Sequence, residues 1–189
     1  MAGLQLNAIP WRKVRSWGCV GCGDICCNSF RVPISAWEWA RLCHLYGPQI
    51  AEFRFDGLYL KKRADGSCIF LYPSMGNFLC ALQAMKPYAC KLWPFKIGRK
   101  PTYGCADEAL YSFKGDKFYV YLDPFCRGIM LGKPTQQFAV QVIPEFIEIF
   151  LGGRRAQIYS TMPSQGFTHP QLRPELQSPI RRLSCELNL

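Results

Sequence analysis

The run "CVGCGDICC", Cys19 to Cys27, constrains this chain more than any other stretch: it packs four cysteines into nine residues, two of them adjacent. A two-residue gap between thiols, as from Cys19 to Cys22, is the recurrent metal knuckle, because the intervening turn lets both sulfurs face one ion. Adjacent cysteines suit a metal better than they suit each other. Consecutive Cα atoms lie about 3.8 Å apart, below the usual range for a disulfide. Gly18, Gly21 and Gly23 flank and interleave the run and let the backbone turn sharply and aim amides at sulfur.

How the eleven cysteines of the 189 residues are read depends on compartment. The opening "MAGLQLNAIPWRKVRSWG" has no continuous apolar core and no small-residue cleavage site, so it reads as lacking a signal peptide. No apolar run is long enough to span a bilayer. The expectation is a cytoplasmic chain with reduced thiols, in which clustered cysteines bind metal or do redox chemistry.

The hydrophobic fraction of 49% is enough for a real core. The net charge of +10 admits an acidic protein or a nucleic acid as partner. Two divalent ions, each held by four thiolates, would bring it to roughly +6.

Along the chain, residues 1–17 form a basic, aromatic lead-in with Trp11 and Trp17 placed to pack over the cysteine site. Ser35 with Glu38 fits a capping box, and Gly47-Pro48 is a stop, which predicts a helix at 36–46. "FDGLYLKKRADGSCIFLYP" predicts two short strands around Ala64-Asp65-Gly66. The stretch from Met75 to Gly98 reads as loop-rich with a single helical turn. "ALYSFKGDKFYVYLD" predicts a hairpin about Lys114 to Lys117. "TQQFAVQVIPEFIEIFLGG" predicts a helix kinked or restarted at Pro144 and ended by Gly152-Gly153. Residues 161–189, rich in Pro, Gln, Ser and Arg, read as an irregular, flexible tail. The expected architecture is α+β: one small, cysteine-rich, metal-stabilised domain at 18–160, with short antiparallel strands and two main helices.

By spacing, the candidate ligands are Cys19, Cys22, Cys26 and Cys27, then Cys68, Cys80, Cys90 and Cys126. The last four stand beside turn formers, and buried core cysteines remain the alternative for them. Cys43 reads as a small core residue and His44 as a surface residue. Cys105 reads as core or an added ligand. Asp24 is a second-shell or oxygen-ligand candidate, with turn capping as the alternative. With only two histidines in the chain, the shell is mainly thiolate, which favours zinc or iron over calcium or magnesium. All-thiolate sites serve zinc and iron–sulfur clusters alike.

The pattern resembles the YkgJ-type cysteine-cluster family, the CxxCxxCC zinc- or iron-chelating domain, also labelled FliB-like or iron–sulfur oxidoreductase. Its hallmark run is matched by "CVGCGDICC" and its Gly-x-Cys-x-Phe-Leu element by Gly66 to Leu71. Its paired cysteines before a Phe-Pro-Phe are matched by "CALQAMKPYACKLWPF", Cys80 to Phe95, and its Cys-Pro-Gly-Ile turn by Cys126 to Ile129. The similarity covers about residues 18 to 132. Three residues, not two, separate Cys22 from Cys26, and Gln83, Lys86 and Lys91 replace the family's tyrosine and arginines. The resemblance implies an eight-cysteine metal domain, without implying a particular reaction.

Three functions are compatible with these residues. The first is a metal-chelating protein holding zinc or iron. The second is an iron–sulfur or multinuclear-iron oxidoreductase or electron-transfer protein, with Lys86, Lys91, Lys96, Arg99 and Lys100 offsetting cluster charge or receiving an acidic partner. The third is a zinc-stabilised nucleic-acid-binding domain using tryptophans as stacking platforms. Covalent cysteine catalysis is disfavoured, because only His44 and His169 can serve as base.

Overall fold

The computed structural model describes residues 8–23, 30–74, 77–82 and 85–159. The fold is α+β. Its central strand is β9 (Asp116–Leu122), whose apolar positions are almost all buried. The strand β7 (Phe95–Gly98) pairs with one of its edges, antiparallel, with Phe95 opposite Leu122. The other edge is shared by β8 (Leu110–Phe113) and β1 (Ile9–Pro10), with Ile9 also opposite Leu122. The turn from β8 to β9 is the tight pair Lys114-Gly115, both at positive φ, as a two-residue hairpin requires.

A separate two-stranded ladder joins β2 (Val14–Trp17) to β10 (Ile129–Leu131), with Trp17 opposite Ile129. Against the sheet lies a π-helical turn, Phe138–Val142, continuing into α4 (Ile143–Phe150). Pro144 sits just past the junction between the π-helical turn and α4, where the helix passes from one bonding pattern to the other and the N–H that proline lacks is missing from the ladder. The amides of Gly152 and Gly153 close the end on the Ile149 and Glu148 carbonyls. Trp11, Trp17, Phe95, Phe118, Phe138 and Phe146 fill the core between sheet and helix. The Phe95 and Phe146 rings stack at 3.8 Å, and Trp17 meets both edge-on.

A second, smaller core is built from shorter pieces. The helix α1 (Ala36–Tyr46) has its expected bounds. Ser35 Oγ accepts from the Glu38 amide while the Glu38 carboxylate accepts from the Ser35 amide. Two hairpins, β3 (Ala51–Arg54) with β4 (Gly57–Leu60) and β5 (Leu71–Ser74) with β6 (Asn77–Cys80), bring Leu60, Phe70 and Leu71 together with Leu42 and Ile34. The short helix α2 (Tyr88–Leu92) packs on this group. A further turn, α3 (Ala106–Ala109), packs on the first core.

Three expectations change. The hairpin expected about Ala64-Asp65-Gly66 turns instead at Phe55-Asp56, and residues 62–68 hold only an isolated Lys62–Cys68 bridge. The stretch expected to be loop-rich contains β6, α2 and β7. Of the two lead-in tryptophans, both buried in the core, Trp17 does reach a cysteine, its indole lying against Cys126, whereas the Trp11 indole N–H donates to the Leu110 carbonyl instead. The tail expected beyond residue 160 lies outside the described residues, as do Asp24, Cys26, Cys27, His169 and Cys185. No helix among the described residues is long and apolar enough to cross a membrane.

Candidate metal centre

The ladder between β2 and β10 decides where the first cysteines lie. Beyond the Trp17–Ile129 pair it is continued by the Gly18 amide, which donates to the Gly128 carbonyl at 3.1 Å. The segment carrying Cys19 and Cys22 therefore runs alongside the turn that carries Cys126. Gly128 permits this closeness: a Cβ there would overlap the Gly18 carbonyl.

That turn is built from β9 outward. Asp123, 4% exposed, pairs with Lys96 Nζ at 2.9 Å. Its carboxylate accepts from the Phe125 amide, and its carbonyl accepts from the Cys126 amide at 3.1 Å. Its own amide donates to the Pro94 carbonyl at 2.9 Å.

Cys126 is half-buried, with the Trp17 indole and the Gly128 backbone amide beside its sulfur. Burial pushes its thiol up to about 11 against the pull of these two donors, with Cys22 and Cys19 nearby acting in the same sense as burial. N–H donors aimed at a sulfur favour its thiolate, the form that binds metal. Cys19 is exposed and Cys22 half-buried.

The second group is Cys68, Cys80 and Cys90. Cys68 belongs to the smaller core at 8% exposure, and Cys80 and Cys90 pack against that core half-buried. Cys80 ends β6 opposite Leu71, whose amide donates to the Cys68 carbonyl at 3.0 Å. Cys90 lies within α2, not on a loop. The N-terminus of α2 is tied to α1: the Tyr88 amide donates to Glu38 Oε1 at 2.6 Å. The segment before Cys26 spans the two groups. At one end it bonds to Gly128, and at the other the Phe78 amide of β6 donates to the Gly21 carbonyl at 3.0 Å. The ring of Phe78 fills the space a side chain at Gly23 would need.

Among the described residues, no three His, Cys, Asp or Glu side chains stand close enough together to hold a metal ion. Two of the eight candidate ligands, Cys26 and Cys27, are outside that set. The six others fall into the two groups of three just given. Cys105 is disulfide-bonded, against the expectation of a core thiol or an added ligand. Cys43 is half-buried on α1, and His44 is exposed.

The basic residues near the cysteines are mostly committed. Lys96 is paired with Asp123, and Arg99 with Asp116 while also lying over the Phe118 ring. Lys91 is held below the usual lysine range by partial burial and then by Arg41 and Arg155 beside it. Trp11 and Trp17 present no face to a base, and only Trp37, 77% exposed, is open to solvent among the five tryptophans. Trp37 lines a shallow apolar cleft of about 580 Å³ with Pro33, Tyr88 and Ala89. Its one acid, Glu38, is spent on capping and on Tyr88.

Sequence reasoning missed two supports: Asp123 with Lys96, and Arg63, whose guanidinium meets the carbonyls around Cys68. Only their chain neighbours are visible in a sequence, and each support acts across a fold. No family model, curated protein or solved structure matches the chain.

Proposed function

We propose that this chain is a metal-chelating protein of YkgJ type. It binds zinc or iron through Cys19, Cys22, Cys26, Cys27, Cys68, Cys80, Cys90 and Cys126. The observation that carries the reading is Cys126: a half-buried thiol with the Trp17 indole and the Gly128 amide beside it and two more cysteines nearby. Such donors lower the cost of holding negative sulfur away from water, which a metal site needs and an ordinary core cysteine does not. The grouping of Cys68, Cys80 and Cys90 about the second core adds to it.

In this reading Cys26 and Cys27 complete the two groups, one each. Neighbouring side chains diverge, so an adjacent pair suits two ions, or two metals of one cluster. The thiols of each group draw together as metal replaces their protons. Zinc would supply folding energy, whereas iron with sulfide would supply electron transfer. Binding nucleic acid is the weaker reading, because Trp11 and Trp17 are buried and Trp39 and Trp93 half-buried, which leaves Trp37 as the one exposed platform of the five.

The experiment is anaerobic purification followed by measurement of zinc, iron, acid-labile sulfide and the visible spectrum. Colourless protein with about two zinc ions removes the iron–sulfur form. Cys26→Ser should lower the metal content, and Cys43→Ser should leave it unchanged. Protein that carries no metal and melts cooperatively, with no response to added zinc or iron, sinks the proposal.

A further inference from the structure

Arg63 stands at the start of the turn that leads to Cys68, and its side chain folds back over that turn. Its Nη1 donates to the Cys68 carbonyl at 3.0 Å, to the Leu71 carbonyl at 2.7 Å and to Ser67 Oγ at 3.2 Å. Its Nη2 donates to the Ile69 carbonyl at 2.7 Å. The backbone repeats the closure: the Arg63 amide donates to the Ser67 carbonyl at 2.8 Å, and the Gly66 amide to the Arg63 carbonyl at 3.0 Å. Asp65 Oδ1 accepts from the Ser67 amide at 2.9 Å, and the guanidinium lies over the Tyr72 ring at 5.3 Å.

Three carbonyls therefore converge on one cation. Without it their dipoles would oppose one another, and only the backbone bonds between Arg63 and Ser67, the Asp65 cap and the Lys62–Cys68 bridge would hold the turn. No regular ladder replaces it, because only the single Lys62–Cys68 bridge crosses the turn. A planar fork of five N–H donors matches carbonyls arranged in this way; a lysine ammonium does not.

We infer that Arg63 is the positioning residue of the second thiol group. It fixes the turn so that Cys68 enters the small core against which Cys80 and Cys90 also pack, and it places a positive charge next to a ligand that must carry negative charge. This rests on the chelation reading given above. The role belongs to the guanidinium, not to the turn sequence around it, since the bonds to Cys68, Ile69 and Leu71 all come from the side chain.

The test compares the full-length wild-type chain with Arg63→Gln and Arg63→Lys, using zinc competition against a chromophoric chelator and the thiolate charge-transfer band of cobalt(II). Arg63→Gln should hold part of its metal about ten-fold more weakly and lose part of the cobalt band. Its circular dichroism should match the wild type, and Arg63→Lys should be intermediate. Wild-type affinity and spectrum in Arg63→Gln overturn the role of Arg63 while leaving chelation intact. Wild-type protein that takes up no metal overturns chelation instead. The positioning is then decided by alkylation of Cys68, mapped by mass spectrometry: faster alkylation in Arg63→Gln upholds it, and an unchanged rate overturns it.

Discussion

Cys126 and Gly128 show how much can depend on single positions. An alanine at 128 would overlap the Gly18 carbonyl, so the two cysteine-bearing segments would have to separate. Gly128→Ala should cost about 2 kcal/mol in a urea melt, within the usual range for overpacking, and should also lower metal content. At Gly115 an added Cβ meets nothing within 4 Å, and the cost of alanine is only its positive φ, about 1 kcal/mol with no loss of metal. The Cys126 thiol gives a pH window. In chelator-treated protein it keeps its proton up to about pH 11 when folded, but in the unfolded chain it ionises near its ordinary value of 9.0. The native state then binds more protons between those limits, so stability is constant below about pH 9 and falls as pH rises to 11, by about 2 to 3 kcal/mol in all. Urea midpoints across that range measure it, and Cys126→Ser should remove the fall. The sequence placed Cys126 and Gly128 in one turn element. It also placed Trp17 over the cysteine site, but did not show which cysteine the indole meets, because that contact depends on the β2–β10 register.

At the scale of elements, α1 was readable because its determinants are local. A capping serine, a glutamate three residues on and a terminal glycine lie within the helix and its flanks. Ser35→Ala should cost about 1 kcal/mol, measured by thermal melting. Glu38→Ala should cost more, about 2 kcal/mol, because that carboxylate also receives the Tyr88 amide and so anchors α2. Metal retention should fall in Glu38→Ala and not in Ser35→Ala, since Cys90 is carried by α2. The misplaced hairpin has a physical reason. Asp-Gly occurs twice, at 56–57 and at 65–66, and short-range pattern favours both equally. The first is flanked by residues free to pair. The second is followed by carbonyls that Arg63 takes, so no ladder forms there. The strand β6 escaped notice because glycine, cysteine and proline in the stretch from Met75 read as loop chemistry, whereas β5 falls where the second strand of the expected hairpin was placed.

For the whole molecule, the partition into two cores decides where metal would matter. The first has a four-stranded sheet and a helix packed across it, and the second has hairpins, turns and one eleven-residue helix. A small core of short pieces lacks the buried area to hold itself. Stripping the metal with a chelator should therefore expose amides of residues 30–92 to hydrogen exchange first, while β7, β8 and β9 remain protected, as mass spectrometry of the exchanged peptides would show. Uniform loss of protection would count against the partition. Composition and local pattern were enough for the α+β class, but they gave no hint of two cores, because that depends on which strands share β9. The cores are nonetheless tied: the Tyr88 hydroxyl donates to the Phe150 carbonyl at 2.9 Å, and the Gly18–Gly23 segment is bonded at both ends.

The pairing of Ile9 with Leu122, and of Trp17 with Ile129, also sets an order in time. Translation delivers the chain from its N-terminus, so "CVGCGDICC" leaves the ribosome about a hundred residues before the strands that flank it, at a few to twenty residues each second. For several seconds its thiols have neither the Gly128 turn beside them nor the Trp17 indole in place. A nascent chain released before residue 131 should therefore bind metal loosely and exchange it freely. A chain extended past that point should retain it, which places tight capture of the ion after most of the domain has been made.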